Sequence, residues 1–491
     1  MGGSMERVIF EASLKPNDLQ LIRPVFILLI FLALALTLRF FSFFPSVIDQ
    51  DESTYIVISD ALLNGYTYQV DFVDTKPIGI FWVLAGLQWL FGPSIFGLRL
   101  AASVILAVTA FFLYRAKLVY GSSPGAALAA GVLYLFLNST FTFYGVSPNT
   151  ETYFNLFTAL ALWLYLDRPR ASWAYLGIGL LLGIGFVIKY VVLFDGLAFG
   201  LFLLWLAYQK KESWGRALSH SLLMAAGAAL PFLALLAWYQ QQGQLDELWF
   251  YTFTVSSRYP EQKPLLDYFK FFLDFNLRFL PAAFFFYYAL FNKYVPLGQR
   301  QFGLLWSGLT LVAVLATGKF FGHYFIQFML PFCFVAGEFF GLERDQLPRW
   351  LRWTRTPRIG YPALAILLLA NGVFQYQDYY LKRDYPREIA GYLQARLQAG
   401  EIFYSSNDQI TYHLMGQLPP IRYVHPSLFW EPQHIAALEI DVDKEMEQLM
   451  ARRPRFLLLR QPMEDGRFEP WLQDYELTEM IGKRIEVWER K

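Results

Sequence analysis

Charge is what this sequence has little of. Only 16% of its 491 residues are Asp, Glu, Lys or Arg, against about a quarter in soluble domains. With 56% hydrophobic and 19% aromatic residues, that shortage excludes an ordinary water-soluble globule. The net charge of +1 carries no information about partners, and no nucleic-acid partner is expected. The single cysteine, Cys333, lies in an apolar run, so no intramolecular disulfide can form. The five histidines are scattered and give no metal-ligand spacing. There is no glycine-rich nucleotide loop, no internal repeat and no low-complexity tract. Residues 1–20 are polar, and no small-residue cleavage site follows the first apolar run, so no cleavable signal peptide is expected.

What the chain does have is a series of apolar runs near 20 residues long, each able to cross a ~30 Å hydrocarbon core. The expected spans are 24–44, 94–114, 124–144, 152–166, 173–188, 191–208, 217–238, 265–291, 302–317, 324–340 and 359–376. The run 77–91, at about 15 residues, is short for a span and reads as a surface or re-entrant helix. In this register the inner loops collect the bases, including Arg115/Lys117, Arg168/Arg170, Lys210/Lys211 and the group from Arg344 to Arg358. The outer loops hold only Lys76, Lys189, Arg258, Lys263 and Lys319. That asymmetry follows the positive-inside rule and sets the orientation.

From about residue 384 the pattern changes to strands alternating with helices: strands at 401–406, 421–424, 455–460 and 484–490, and helices at 389–397, 409–415 and 442–450. The expected fold class is an all-α polytopic membrane domain of about 11 transmembrane helices plus outer juxtamembrane helices, with a small C-terminal α/β soluble domain. The expected organisation is a cytoplasmic N-terminal tail, 1–23, a transmembrane catalytic domain, 24–380, with its outer loop 45–93, and an extracytoplasmic α/β domain, 381–491.

The loop 48–76 is the acidic exception. It carries Asp49, Asp51, Glu52, Asp60, Asp71 and Asp74, and one base, Lys76, before Pro77. Within it, 52–64 has helical spacing and reads as an amphipathic helix along the membrane surface. Other ionisable groups of the outer face are Glu151, Lys189, Arg258, Lys263, Lys319 and His323. A carboxylate there suits orientation or deprotonation of an acceptor hydroxyl or amine. The bases suit neutralisation of a departing phosphate, which at a membrane surface points to a lipid phosphate. Blander readings stand beside these. Asp51 and Glu52 are compatible with helix capping, Lys76 with snorkelling, Arg258 and Lys263 with solvated loop charge, and Glu151 with a helix first turn. Lys189 is compatible with a span boundary and His323 with an interface histidine. The one-sided accumulation favours function.

The residues Asp51-Glu52-Ser-Thr-Tyr55, then Ala61-Leu-Leu-Asn-Gly65, Thr75-Lys76-Pro77, Phe91-Gly92 and Arg99, together resemble the first outer loop of the glycosyltransferase C superfamily. Within it they are most similar to the bacterial branch of protein O-mannosyltransferases and lipid A aminoarabinose transferases. Lys319-Phe-Phe-Gly-His323-Tyr324, followed by Pro331, resembles that branch's late turn-and-span motif. The resemblance implies an integral-membrane transferase moving one sugar, with inversion, from a polyprenyl-phosphate donor. The acceptor, a lipid, protein or polysaccharide, would be met on the outer face of the bacterial cytoplasmic membrane. It implies Asp51 as the catalytic aspartate with Glu52 as motif partner, and Lys76 and Tyr324 at the donor phosphate. Glu151 falls where the family carries a second acid. Thr54 stands where the aminoarabinose branch has a phosphate-contacting arginine, so Arg258, Lys263, Lys319 or His323 would complete the clamp. No cofactor is required; a divalent metal, bound by some relatives, is left open. The alternative from another class is a transporter or flippase of lipid-linked sugars. That predicts interrupted helices, polar groups near the bilayer midplane and related halves; here the charges cluster at one face and no halves are visible in the sequence.

Overall fold

The computed structural model describes residues 24–167, 171–258, 263–461 and 466–491. The expected tail 1–23 and the inner-loop bases Arg168 and Arg170 lie outside the described residues. The chain divides into two compact units. One is Met1–Phe40, Leu100–Ala237 and Glu261–Gln375, and the other is Phe41–Arg99, Trp238–Pro260 and Tyr376–Lys491.

The first unit is helical. Among the described residues of the chain, five helical segments are long and apolar enough to cross a membrane: Pro24–Phe43, Ile95–Val119, Tyr190–Tyr208, Trp214–Gln242 and Gly322–Gly341. Pro124–Thr140, Ala174–Ile188 and Leu280–Phe291 are shorter apolar helices of this unit. These runs make the chain a multi-pass membrane protein. The helix Phe325–Ala336 is buried along its whole length despite Pro331. Aromatic rings do much of the packing around it, with Phe275 stacked on Phe325 at 4.3 Å and Phe286 on Phe332 at 4.7 Å. The segment 265–291, expected as one span, is two helices, Leu265–Arg278 and Leu280–Phe291, broken at Phe279. Pro281 has no N–H to continue the helical ladder. The first of the pair carries Asp267, Lys270, Asp274 and Arg278, and of its side chains only Phe271 and Phe275 are buried.

Small residues let two helices of this unit touch backbone to backbone. A Cβ added at Gly179 would overlap the Met224 carbonyl, at Gly183 that of Ala228, and at Gly227 that of Leu176. Gly227→Val is therefore expected to cost about 1–3 kcal/mol, the range for overpacking. Thermal unfolding in detergent should show this against Gly177→Val, whose Cβ meets nothing within 4 Å. Equal midpoints for the two variants would contradict the close approach.

Three charged groups buried among these helices are held in hydrogen-bond networks. The fully buried Arg39 guanidinium donates to the carbonyls of Asn138 (2.8 Å), Gly145 (2.7 Å) and Val146 (2.5 Å) and to Ser103 Oγ (3.2 Å). It thereby pins the turn after Pro124–Thr140. Lys117 pairs with Glu338, which also accepts from Ser122. Asp195 accepts from Trp306 Nε1 at 2.6 Å and Gln327 Nε2 at 2.7 Å.

The second unit combines helices with a four-stranded sheet of β1 (Phe403–Ser405), β2 (Phe456–Arg460), β3 (Tyr475–Ile481) and β4 (Ile485–Arg490). The order is β1-β2-β4-β3, with β1 and β2 parallel and the other pairs antiparallel. β2 is apolar and buried, so it holds the middle of the sheet between β1 and β4. Leu457, Leu459, Tyr404, Phe429, Leu449 and Phe468 share one core with Val73 of the acidic loop. The expected strand 421–424 is instead a single bridge, in which Val73 N donates to Arg422 O at 2.8 Å. β3 was not expected; its five central residues are exposed at the sheet edge, so it shows no apolar alternation.

The expected surface helix is Gln50–Leu63, and nine of its fourteen residues are buried, on every side rather than one. It packs against Ile78–Phe91 and Ile410–Met415. His413 Nδ1 lies 2.7 Å from Asp60, and Gln409 Nε2 donates to Gln50 O at 3.0 Å and Thr54 Oγ1 at 3.1 Å.

Candidate active site

The local sequence explains how Asp51 is presented. Asp49 has an extended backbone, φ −144°, and its side chain accepts from Asp51 N at 3.3 Å, so Asp49 is the helix cap. Asp51 stands in the first turn with its carboxylate directed to Lys76, 2.9 Å from Nζ to Oδ1. Lys76 is held just ahead of the Ile78–Phe91 helix, because Pro77 is that helix's extended N-cap. The Tyr68 hydroxyl lies 2.8 Å from the Asp74 carbonyl and 2.5 Å from that of Lys76 and ties down the strap between them. Asp74 is buried, 3.8 Å from the Lys76 ammonium, and the Tyr55 ring lies 5.8 Å from it.

Burial works against the Lys76 charge, but Asp51 and Asp74 outweigh it and hold its pKa well above the usual lysine range. Lys76 is therefore a permanent cation. Beside it sits a group that the sequence reading missed, His425. Its Nε2 is 3.6 Å from Asp51 Oδ1, and its Nδ1 lies 3.2 Å from the Ser427 backbone N–H and 2.8 Å from Ser427 Oγ. Accepting from Ser427 N–H at Nδ1 assigns the proton to Nε2, the atom facing Asp51. No spacing in the sequence links residue 425 to 51; only the fold of the second unit brings them together.

Burial pushes the His425 imidazole below the usual histidine range; Asp51 and Asp74 oppose this, and Lys76 adds to it. An unfolded chain takes up this proton near pH 6.5, the folded chain only at lower pH. The stability contributed by neutral His425 is thus complete above about pH 6.5 and falls as the pH drops toward the folded value, by at most about 1.4 kcal/mol per pH unit. The thermal midpoint of His425→Asn is expected to change less than wild type between about pH 7.5 and 5.5. Parallel curves would contradict a buried neutral imidazole.

Glu52 faces different partners. Arg99 clasps both its oxygens at 2.7 and 2.8 Å and also donates to the carbonyls of Ser42 (2.9 Å) and Pro45 (2.5 Å). Both side chains are buried, so the pair is a strut beneath the first turn. Thr54 Oγ1 lies 2.9 Å from Gln50 O and 3.1 Å from Gln409 Nε2. Arg258, half exposed, pairs with Glu439 at 2.7 Å.

The first unit holds a second cluster. Buried Glu151 accepts from Thr150 Oγ1 at 2.9 Å and pairs with Lys189. Lys189 is the extended C-cap of Ala174–Ile188, and its ammonium lies 4.3 Å from the centre of the Tyr324 ring. Tyr324 meets the His323 ring edge to face at 4.7 Å, and Phe321 stacks on His323 at 5.6 Å. Lys319 is buried in the same turn, its N–H 3.2 Å from Thr317 Oγ1. A cavity of about 710 Å³ brings Lys263 and His323 together with Lys270, Arg278 and Asp274, walled by Phe271, Phe320 and Phe321. Lys270 and Arg278 were not expected at a site, because 265–291 reads as a transmembrane run.

Residues 75–238 match the family described as dolichyl-phosphate-mannose-protein mannosyltransferase. The chain is 30% identical over 152 residues to an undecaprenyl phosphate-alpha-4-amino-4-deoxy-L-arabinose arabinosyl transferase of Pseudomonas fluorescens, over 28% of this chain and 26% of that protein. It is 27% identical over 151 residues to the corresponding enzyme of Proteus mirabilis, again 28% of this chain and 27% of the relative. The chain thus spans about a quarter of the length of these curated relatives in the matched stretch. As a structure it is similar to ArnT from Cupriavidus metallidurans in the apo state, with a TM-score of 0.65, 14% identity, and coverage of 94% of this chain and 97% of that one. The same protein bound to undecaprenyl phosphate gives a TM-score of 0.61 over the same shares at 14% identity. In fold, the chain is similar to ArnT from Cupriavidus metallidurans along nearly its whole length.

Proposed function

We propose that this protein is an integral-membrane inverting glycosyltransferase that moves a single sugar from a polyprenyl-phosphate donor to an acceptor at the outer face of the bacterial cytoplasmic membrane. The observation that carries this reading is the Asp51–Lys76 pair at 2.9 Å, in a fold whose similar structure is recorded with undecaprenyl phosphate. Asp51 orients the acceptor hydroxyl or amine and takes its proton as that atom attacks the anomeric carbon. The bond from this carbon to the phosphate oxygen breaks, and its electron pair leaves with polyprenyl phosphate. Charge builds on that phosphate in the transition state, and fixed cations stabilise it best. Lys76 qualifies, since its pKa keeps it charged. Within the first unit, Lys189 with Tyr324, and the cavity bearing Lys263, Lys270, Arg278 and His323, present cations and aromatic walls of the kind that suit a lipid phosphate and its chain. Glu151 keeps Lys189 in place. Glu52 acts through its pair with Arg99 rather than on substrate.

The purified chain in detergent, given a panel of polyprenyl-phospho-sugars with cell-envelope extract, should release free polyprenyl phosphate from one of them. Movement of lipid-linked sugar across vesicles with every donor left intact would replace this reading with the transporter.

A further inference from the structure

The second unit contains a cavity of about 890 Å³ for which the proposed chemistry has so far given no use. Its volume lies in the ~300–1,000 Å³ range of small-molecule sites. Its polar and aromatic walls include Gln50, Asn407, His425, Trp430, Arg460 and Arg467, with Glu431 adding a carboxylate. We propose that it is the acceptor site, and that the acceptor part it holds is a hydroxyl-rich saccharide; this rests on the transferase reading above.

Two lining residues place the cavity next to the reacting end. His425 lines it, and the same imidazole stands 3.6 Å from Asp51. Gln50, the residue before Asp51, lines it too. Its Oε1 is buried without a hydrogen-bond partner among the described residues, an acceptor that a sugar hydroxyl would satisfy. Several of the wall groups are planar and polar and are held by their neighbours. Arg467 is stacked 4.2 Å from the Trp430 ring centre and donates to Phe429 O at 2.6 Å. Arg460 is locked on Asp408 at 2.5 and 3.2 Å, and Trp430 Nε1 donates to Ser406 O at 3.1 Å. Amides and guanidinium forks bond vicinal hydroxyls two at a time, and an indole offers apolar surface to the C–H face of a sugar ring. An alkyl chain would need aliphatic walls, and here these are only Ile435, Ala436 and two prolines. Arg460 is balanced by Asp408, so the site selects hydroxyls more than negative charge.

Cysteine labelling tests this, because the native Cys333 is buried. Asn407→Cys in the full-length protein is reacted with a maleimide, with Glu431→Cys at the exposed rim as a second reporter should the first not fold. Three probes are added: intact cell-envelope glycolipids, the saccharide fraction released from them by mild acid, and a tryptic digest of envelope proteins. Labelling is expected to slow at least about tenfold with either glycan probe, and the pair of arms separates a lipid headgroup from a free saccharide. The slowing should disappear when Trp430→Ala or Arg467→Gln is added. Protection by the peptide digest alone, no protection by any probe, or protection indifferent to both added substitutions would overturn the proposal. Release of polyprenyl phosphate is measured on the same protein. Turnover without protection rejects the cavity alone. Protection without any donor turnover rejects the transferase reading, and with it the acceptor role.

Discussion

Asp51→Asn is expected to lower turnover of the polyprenyl-phospho-sugar by about 10²–10⁴-fold, the span associated with loss of a positioned general base. The substitution keeps the shape of the side chain and removes its charge and proton affinity. Folding should survive it. Asp49, not Asp51, caps the Gln50–Leu63 helix, and Lys76 retains Asp74 at 3.8 Å. Release of polyprenyl phosphate, with elution volume and thermal midpoint as controls, measures both halves. Full activity in a folded variant would remove Asp51 from the chemistry.

Arg99→Met should be the most damaging single change to stability in the second unit, by about 3–5 kcal/mol, the cost of leaving one member of a buried ion pair without the other. The Arg99 and Glu52 side chains are 1% and 4% exposed, so water does little to relieve the orphaned carboxylate. The carbonyls of Ser42 and Pro45 lose a donor as well. Glu52→Met/Arg99→Met removes both charges and should recover much of the loss. Denaturant midpoints in detergent measure the cycle. A loss under about 1 kcal/mol in the single variant would show the pair to be no more than a surface bridge. The double variant also separates the roles of Glu52. If Glu52 is a strut, the refolded double variant turns over donor; if it touches substrate, the variant folds and is inactive.

Much of the fold was legible because a bilayer makes composition speak. Apolar runs carry the helical layout, and β2 is visible as the apolar run of Phe456–Arg460. The edge strand β3 was not, since five consecutive exposed residues leave no alternation. The break at Phe279 was hidden because Phe, Leu and Tyr fill 265–291 and outweigh the four charges of its first half. At the site, Asp51 and Lys76 announce themselves as charges in an apolar context. Their pairing across 25 positions rests on the packing of two helices and on the Tyr68 tie, which no periodicity reports. Residue type alone does not separate Asp51 from Glu52; Arg99 does, by burying one and not the other. His425 was illegible for the same reason, its partner lying in another part of the chain.

The central claim is that the bond broken lies between the sugar's anomeric carbon and the phosphate oxygen. A donor carrying a heavy oxygen isotope at that bridging position tests it most directly. The account predicts that, after transfer to acceptor by the wild-type protein, the label is found in free polyprenyl phosphate and the glycosylated product carries none. Label in the sugar product would mean cleavage at phosphorus, a different reaction from the one that Asp51 and Lys76 are proposed to serve.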